Sequence, residues 1–205
     1  TRMEVRGREH LPKGPVLVVA KHQSTWDTFA LIPLFDDPAI VLKDELKWIP
    51  FYGWFCVKFR HILVKRDKAA VALKTMVADA KERVAEGRQI VIFPEGTRQN
   101  PGAPPDYKPG YLGLYDSLGV PCVPLALNSG LFWPRRQWRR YPGIIVVEFL
   151  PPIPPGLPRK SAKSAIEAAI EQATRRLIAE ALSHPAPPPH IPLGESDTSE
   201  NKVKT

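Results

Sequence analysis

Pro15-Val16-Leu17-Val18-Val19-Ala20 runs directly into Lys21-His22-Gln23-Ser24-Thr25-Trp26-Asp27. The first six residues are apolar, rich in β-branched side chains and bounded by turn formers, the pattern of a strand buried on both faces of a parallel sheet. Beyond them, Trp26, Phe29, Ala30 and Pro33 share one side of a helical period over residues 25–35, so His22 is expected on a strand-to-helix turn. In an unbroken helix, residues five apart lie about 140° from one another. A turn at Gln23-Ser24 removes that separation and lets Asp27 fold back toward the imidazole. An acid that accepts from one ring nitrogen fixes the tautomer and leaves the other nitrogen as a base. The same residues also have a purely structural reading. Ser24-x-x-Asp27 is a variant capping box, with the hydroxyl capping the helix and the acid satisfying backbone donors.

Outward from this point, strands are expected at residues 39–43, 61–64, 89–93, 120–127 and 144–150, and the opening residues 1–7 read as strand interior, consistent with an upstream segment such as a membrane anchor. Residues 67–86 form an amphipathic helix with Val71, Met76, Val77 and Val84 as buried candidates and Gly87 as its stop. A last helix starts at 161–164, where Ser164-Ala165-Ile166-Glu167 is a capping-box pattern, and buries Ile166, Ile170, Leu177 and Ile178. Strands alternating with helices predict an α/β fold, a mostly parallel central sheet with helices on both faces. Residues 1–183 are read as one domain and 184–205, Pro-rich and then polar, as a disordered tail.

The 205 residues suit a single domain with a sizeable core. Lys and Arg outnumber Asp and Glu by 29 to 21, and a net charge of +8 favours polyanionic partners: nucleic acid, anionic lipid or a phosphorylated substrate. Cys56 and Cys122 sit in apolar surroundings with no metal-like or CxxC spacing, so reduced core thiols are expected and no metal site. No uncharged apolar run approaches the roughly 18 residues that span a bilayer.

Two segments combine aromatic and basic residues. Residues 44–59 carry Leu46, Trp48, Ile49, Phe51, Tyr52, Trp54, Phe55 and Val57 beside Lys43, Lys47 and Lys58; Pro50 and Gly53 predict a broken helix or helical hairpin. Either it is core, or it presents an interfacial face to lipid. Residues 131–141 hold four Arg among Phe132, Trp133, Trp138 and Tyr141, and are read as a docking surface for an anionic bilayer.

In a parallel sheet the carboxyl ends of the strands share one edge, where ligands bind. His22, Arg66 and Pro94-Glu95-Gly96-Thr97-Arg98 each follow a predicted strand, so three polar clusters are expected on one rim. Gly96 permits positive φ or close ligand approach, Thr97 offers a hydroxyl, and Arg98 has a planar fork suited to phosphate. Glu95 is placed to hold Arg98 or accept from a substrate hydroxyl, and Lys108 to close the pocket as a second point charge. Each turn alone also reads as a surface turn with an ion pair.

His22-Gln23-Ser24-Thr25-Trp26-Asp27 resembles the H-x4-D block of the glycerolipid acyltransferases, and Phe93-Pro94-Glu95-Gly96-Thr97-Arg98 resembles their FPEGTR block. His61-Ile62-Leu63-Val64-Lys65-Arg66 is similar to the intervening block ending in Arg, and Val120-Pro121-Cys122-Val123-Pro124-Leu125 to the final Val-Pro block. The resemblance covers about residues 4–155 and is strongest to bacterial lysophosphatidate acyltransferases. It departs at Lys21, where Asn often precedes the His, and at Arg60-His61, where Gly is common; Lys21 is expected to shift the His22 pKa or to add a phosphate contact. The resemblance implies a glycerol-phosphate acyltransferase-like fold, His22 as general base with Asp27 orienting it, and Arg66, Glu95, Gly96, Thr97 and Arg98 handling glycerol phosphate. It implies an acyl-CoA or acyl carrier protein thioester as donor, no bound cofactor, lysophosphatidic acid as acceptor, and work at the cytoplasmic face of a bacterial inner membrane. No G-x-S-x-G elbow is present and neither Cys adjoins a His, so a covalent acyl-enzyme is not expected. Two alternatives remain: another lysolipid acceptor such as a lyso-ornithine lipid, and a nucleic-acid-binding module using the basic patch, although no recognised nucleic-acid motif is present.

Overall fold

In the computed structural model, which describes residues 1–65 and 69–189, the run Val16 to Ala20 is fully buried and belongs to the middle of the sheet. The strands are β1 (Arg2–Arg6), β2 (Leu17–Ala20), β3 (Pro38–Lys43), β4 (Ile62–Val64), β5 (Gln89–Ile92), β6 (Cys122–Leu127) and β7 (Ile144–Phe149). They form one seven-stranded sheet in the order β1-β7-β6-β2-β5-β3-β4. Strands β2 to β6 are mutually parallel, while β7 runs antiparallel to β6 and carries β1 parallel to itself. The expectation of a mostly parallel sheet holds, and its consequence is that the carboxyl ends of β2 and β5 lie side by side.

Period-two alternation divides the core. Leu17, Val19, Ile90 and Ile92 face helices α3 (Ala69–Ala85), α4 (Gly110–Leu118) and α5 (Arg159–Leu182), packing on Met76, Ala80, Tyr111, Leu114, Ile166 and Ile170. Val16, Val18, Ala20, Val91 and Val123 face the other way, onto Leu31, Leu34, Phe35 and Cys56 beside α1 (Thr25–Ala30) and α2 (Tyr52–Lys58). Both cysteines are free and buried, and burial alone pushes the Cys122 thiol up to about 12.

Several boundaries move. The helical period over 25–35 resolves into α1 and a 3-10 turn, Ile32–Leu34, with Pro33 in the latter. Helix α5 begins at Arg159, directly after the extended Pro158, so Ser164 lies inside it and the capping-box reading there is wrong: Pro158 already sets the entry. Its four predicted core residues are all buried. Val71 is exposed although the period put it inside. Helix α4 had no sequence signal strong enough to compete with the Pro-Gly dipeptide that precedes it. The tail expected to be structureless falls mostly on residues 190–205, outside the described residues, as does Arg66.

The 44–59 segment is a hairpin: a 3-10 turn, Asp44–Trp48, then α2, with Phe51 between them at φ 62. A bulky side chain in the left-handed region is strained, and this one is 91% exposed. Trp48 and Trp54 are 79 and 65% exposed, with the Lys47 and Lys58 ammonium groups 5.3 and 4.6 Å from their ring centroids. The hairpin is therefore not simply core: its aromatic side chains are largely exposed, although Cys56 on its inner side is buried. The 131–141 segment is more mixed than expected. Leu131 and Phe132 are core, Arg140 stacks over Trp133 at 4.6 Å, and Trp138 stands free at 97% exposure.

Gly53 is not a breaker but the second residue of α2, and a Cβ there would sit 1.8 Å from the Lys47 carbonyl oxygen. Because the obstacle is backbone, it cannot swing aside. Gly53→Ala is expected to destabilise the chain by at least the ~1–3 kcal/mol typical of overpacking, read as a lower urea midpoint; an unchanged midpoint would show that the hairpin contact is dispensable.

Candidate active site

Where β2 ends, Ser24 adopts extended φ/ψ and α1 starts, which brings Asp27 back under the preceding turn. One carboxylate oxygen, Asp27 Oδ2, accepts from the Gln23 N–H at 2.8 Å, the Ser24 N–H at 2.9 Å and His22 Nδ1 at 3.0 Å. Ser24 Oγ accepts in turn from the Trp26 N–H. The capping reading of this stretch holds, and the acid that caps the helix also orients the imidazole. With Asp27 as acceptor, Nδ1 carries the proton and Nε2 is left as the base. Asp27 is fully buried, whereas the His22 side chain keeps 14% exposure and lines a cleft. Phe93 stacks on the imidazole with ring centroids 4.2 Å apart, holding its plane from the opposite turn.

The second turn follows β5. Gly96 has φ 63, the left-handed conformation its identity was expected to permit. It lines the cleft with Thr97 and Arg98, and Arg98 Nη1 donates to Thr25 Oγ1 across the gap between the turns. The two turns are also joined through backbone, since the His22 carbonyl accepts from the Gln99 N–H at 2.8 Å. Lys108 borders the same cleft and its N–H donates to the Pro94 carbonyl, while its ammonium is paired with Asp106 at 2.6 Å. The cleft is a cavity of about 1290 Å³, lined mostly by apolar side chains such as Ile32, Leu46, Phe55, Leu73 and Met76. Tyr111 and Arg159, whose sequence context drew no attention, also reach its wall.

Glu95 corrects an expectation. It neither holds Arg98 nor faces the cleft; its side chain is fully buried, with Oε1 accepting from Lys21 Nζ at 2.6 Å and Oε2 from the His22 N–H at 3.4 Å. Lys21 likewise is no phosphate contact. At 2% exposure it points beneath the sheet end and also binds Glu171 of α5 at 2.8 Å. Tyr107 completes the group by donating its hydroxyl to Glu171. Nothing local marks Glu171 or Tyr107, which lie 150 and 86 residues from Lys21. The Arg60 departure has its own explanation: Arg60 sits at φ 51, a conformation that suits the glycine common there. Beside it, burial and Arg88 hold the His61 pKa down to about 4, so this imidazole is neutral and accepts from the Ile40 N–H.

Burial raises the Glu95 pKa to about 7 in spite of Lys21, which pulls it down. An acid with a folded pKa above its unfolded value binds more protons when folded, so its contribution to stability is present below the unfolded pKa and is lost as pH rises through the folded one. Between pH 4.5 and 7, wild type is expected to lose a few kcal/mol relative to Glu95→Gln, on the order of 1.4 kcal/mol per pKa unit. Urea unfolding of both proteins at several pH values measures the difference; parallel curves would mean that Glu95 titrates normally.

Residues 2–128 match the family model described as Acyltransferase. Over 146 residues the chain is 40% identical to the 1-acyl-sn-glycerol-3-phosphate acyltransferase of Pseudomonas aeruginosa, covering 71% of this chain and 57% of that protein. It is 31% identical over 156 residues to the human 1-acyl-sn-glycerol-3-phosphate acyltransferase alpha, covering 75% and 55%. The chain thus spans a little over half the length of these curated relatives. Its fold matches the crystal structure of the 1-acyl-sn-glycerophosphate (LPA) acyltransferase PlsC of Thermotoga maritima, with a TM-score of 0.74, 25% identity, and coverage of 86% of this chain and 72% of that one. A His–Asp pair and a Gly-Thr-Arg turn meeting over one apolar cleft, in a sheet of this topology and with matches of this extent, place the chain in the acyltransferase family.

Proposed function

We propose that the chain transfers a fatty acyl group from a thioester, acyl-CoA or acyl carrier protein, to the free hydroxyl of lysophosphatidic acid, forming phosphatidic acid. The observation that carries this reading is the convergence of an oriented imidazole and a guanidinium at one apolar cavity large enough for a lipid chain. His22 Nε2 takes the proton of the acceptor hydroxyl as that oxygen attacks the thioester carbonyl. The tetrahedral intermediate then collapses, the C–S bond breaks, and the departing thiolate receives the proton from the imidazolium. Asp27, already accepting from Nδ1, stabilises the imidazolium formed in between. Arg98, with Gly96, Thr97 and the neighbouring Lys108, receives the glycerol phosphate, a dianion that suits a planar donor fork. The reaction needs no bound cofactor or metal, because the thioester supplies the leaving group. Arg66 keeps the phosphate-binding role implied by the family resemblance.

We further assign the 44–59 hairpin as the surface that meets an anionic membrane, at the cytoplasmic face of the bacterial inner membrane. Trp48, Phe51 and Trp54 are its exposed anchors, the adjacent lysines suit anionic headgroups, and Ile49, Phe51 and Phe55 border the cavity itself. Among the described residues no helix is long and apolar enough to cross a membrane.

His22→Ala is expected to lower turnover by about 10²- to 10⁴-fold, the usual range for one general base. Arg98→Ala is expected to raise the apparent KM for lysophosphatidic acid more than it lowers kcat. Both are read by thiol release from acyl-CoA, repeated with a lysolipid lacking phosphate; near-normal turnover by His22→Ala, or equal use of the phosphate-free acceptor, would overturn the respective assignment. Replacing Trp48, Phe51 and Trp54 together with Ser is expected to abolish binding to phosphatidylglycerol vesicles while Trp138→Ser leaves it largely intact. The reverse pattern would move docking to the 131–141 segment.

A further inference from the structure

The most unusual group outside the cleft is the buried charge cluster beneath both turns. Lys21 Nζ lies 2.6 Å from Glu95 Oε1 and 2.8 Å from Glu171 Oε1, and Tyr107 donates to that same Glu171 oxygen at 2.7 Å. The Lys21 and Glu95 side chains are 2 and 0% exposed. None of the four residues lines the cleft, although Lys21, Glu95 and Tyr107 are each one residue from one that does. On both turns the chain alternates: Lys21 points under the sheet end and His22 into the cleft; Glu95 points under it and Gly96 into the cleft.

We infer that Lys21, Glu95 and Glu171 are positioning residues, a buried clamp through which helix α5 sets the register of the His22 turn against the Gly96-Thr97-Arg98 turn. This rests on His22 being the base of the proposed reaction. Three features support it. Glu95 holds the two turns together directly, because one oxygen takes the Lys21 ammonium while the other accepts the His22 N–H. Glu171 ties the same ammonium to α5, an element beyond the residues 2–128 that match the family model. A second tie, Tyr111 to Glu167 at 2.8 Å, holds α4 to the same helix one turn earlier. Hydrophobic packing would anchor α5 without any charge. A cluster of one cation and two acids at the point where the catalytic turns join instead places a directional constraint there, since a buried charge tolerates little displacement from its partner.

The cluster also places its charges directly beside the His22 backbone. The charged groups facing Glu95 are Lys21 from the end of β2 and Glu171 from α5; His22 adds its backbone N–H and Tyr107 a hydroxyl nearby. Lys21 favours the ionised form of Glu95 and Glu171 opposes it. Removing the cation should therefore make Glu95 ionise, and His22 lose its proton, at higher pH. Removing the Glu171 charge should move both to lower pH. Two neutralising substitutions in one cluster thus have opposite signs, which loss of packing would not produce.

The test compares the wild-type chain with Lys21→Met, Glu171→Gln, Glu95→Gln and Lys21→Met/Glu95→Gln. Thiol-release kinetics give kcat, KM for lysophosphatidic acid and the pH profile of kcat/KM. In parallel, NMR titration of labelled histidine follows the His22 ring, assigned by its absence in His22→Ala. Lys21→Met is expected to lower kcat about 10-fold or more with acceptor KM within about twofold of wild type, and to move the acidic limb and the imidazole titration upward by about half a pH unit or more. Glu171→Gln should move both downward, and the double variant should stay as slow as Lys21→Met, because the ion pair that joins the two turns is absent from both. Changes in melting temperature with neither the limb nor the titration moved would reduce the cluster to a structural role and overturn the inference. A Glu95→Gln variant with raised acceptor KM and unchanged kcat would overturn it differently, by making Glu95 a substrate ligand. If Lys21→Met does not fold, Glu171→Gln carries the sign test by itself, through its downward shift. Should the wild-type chain release no thiol, the proposed reaction fails on its own account, while the His22 titration still decides whether the clamp acts on the imidazole.

Discussion

The site depends on a single oxygen. Asp27 Oδ2 accepts two backbone N–H groups and the His22 ring nitrogen, so the start of α1, the turn after β2 and the tautomer of the imidazole are determined together. Each interaction would be ordinary alone. Shared on one fully buried carboxylate, they remove the freedom of the histidine to rotate away without also undoing the helix start. Local folding and the geometry of the His–Asp pair are in this sense the same event, because the capping pattern and the pair share Asp27.

Around that oxygen the sheet supplies position rather than chemistry. β2 and β5 are adjacent and parallel, so the turns that follow them emerge on one edge, and the link from Gln99 N–H to the His22 carbonyl fixes their spacing. Phe93, the last residue before the second turn, reaches across to stack on the imidazole. The other side of the cleft is apolar and continues to the exposed aromatic hairpin. Polar groups at the strand ends and an apolar chamber beside them suit the proposed amphiphilic acceptor, with its phosphate and hydroxyl at one end and its chain at the other.

The charges that do not face the cleft are as informative as those that do. A lysine and a glutamate, each beside a cleft residue in sequence, turn inward and meet beneath the turns. Burying them carries a desolvation cost of several kcal/mol per ion before pairing offsets it, and burial still holds Glu95 near pH 7. A functional site built from Gly, Thr, Arg and His therefore stands on a second, hidden layer of ionic contacts, and one member of that layer comes from the last helix of the described chain.

Much of this was legible in the residues themselves. Short, continuous, β-branched runs such as Val16 to Ala20 and Gln89 to Ile92 identified the central strands, because a strand buried on both faces is apolar throughout. The spacing of His22 and Asp27 and the left-handed Gly96 were readable because turn geometry over five residues is a local property. What the sequence left open depends on partners distant along the chain. The direction of Glu95 was misjudged since a side chain at a turn can face either way, and only the ammonium of Lys21 on one side decides it. Val71 lies on the right helical stripe, yet no neighbour covers it. Glu171 has no signature at all: an acid on an amphipathic helix reads as solvated until tertiary packing places a buried lysine against it. Local conformation and the residue types available at the cleft were set by the sequence alone. Which way each charge points was decided by the tertiary structure, because a buried charge settles where its counter-charge lies and the chain brings that counter-charge from 150 residues away.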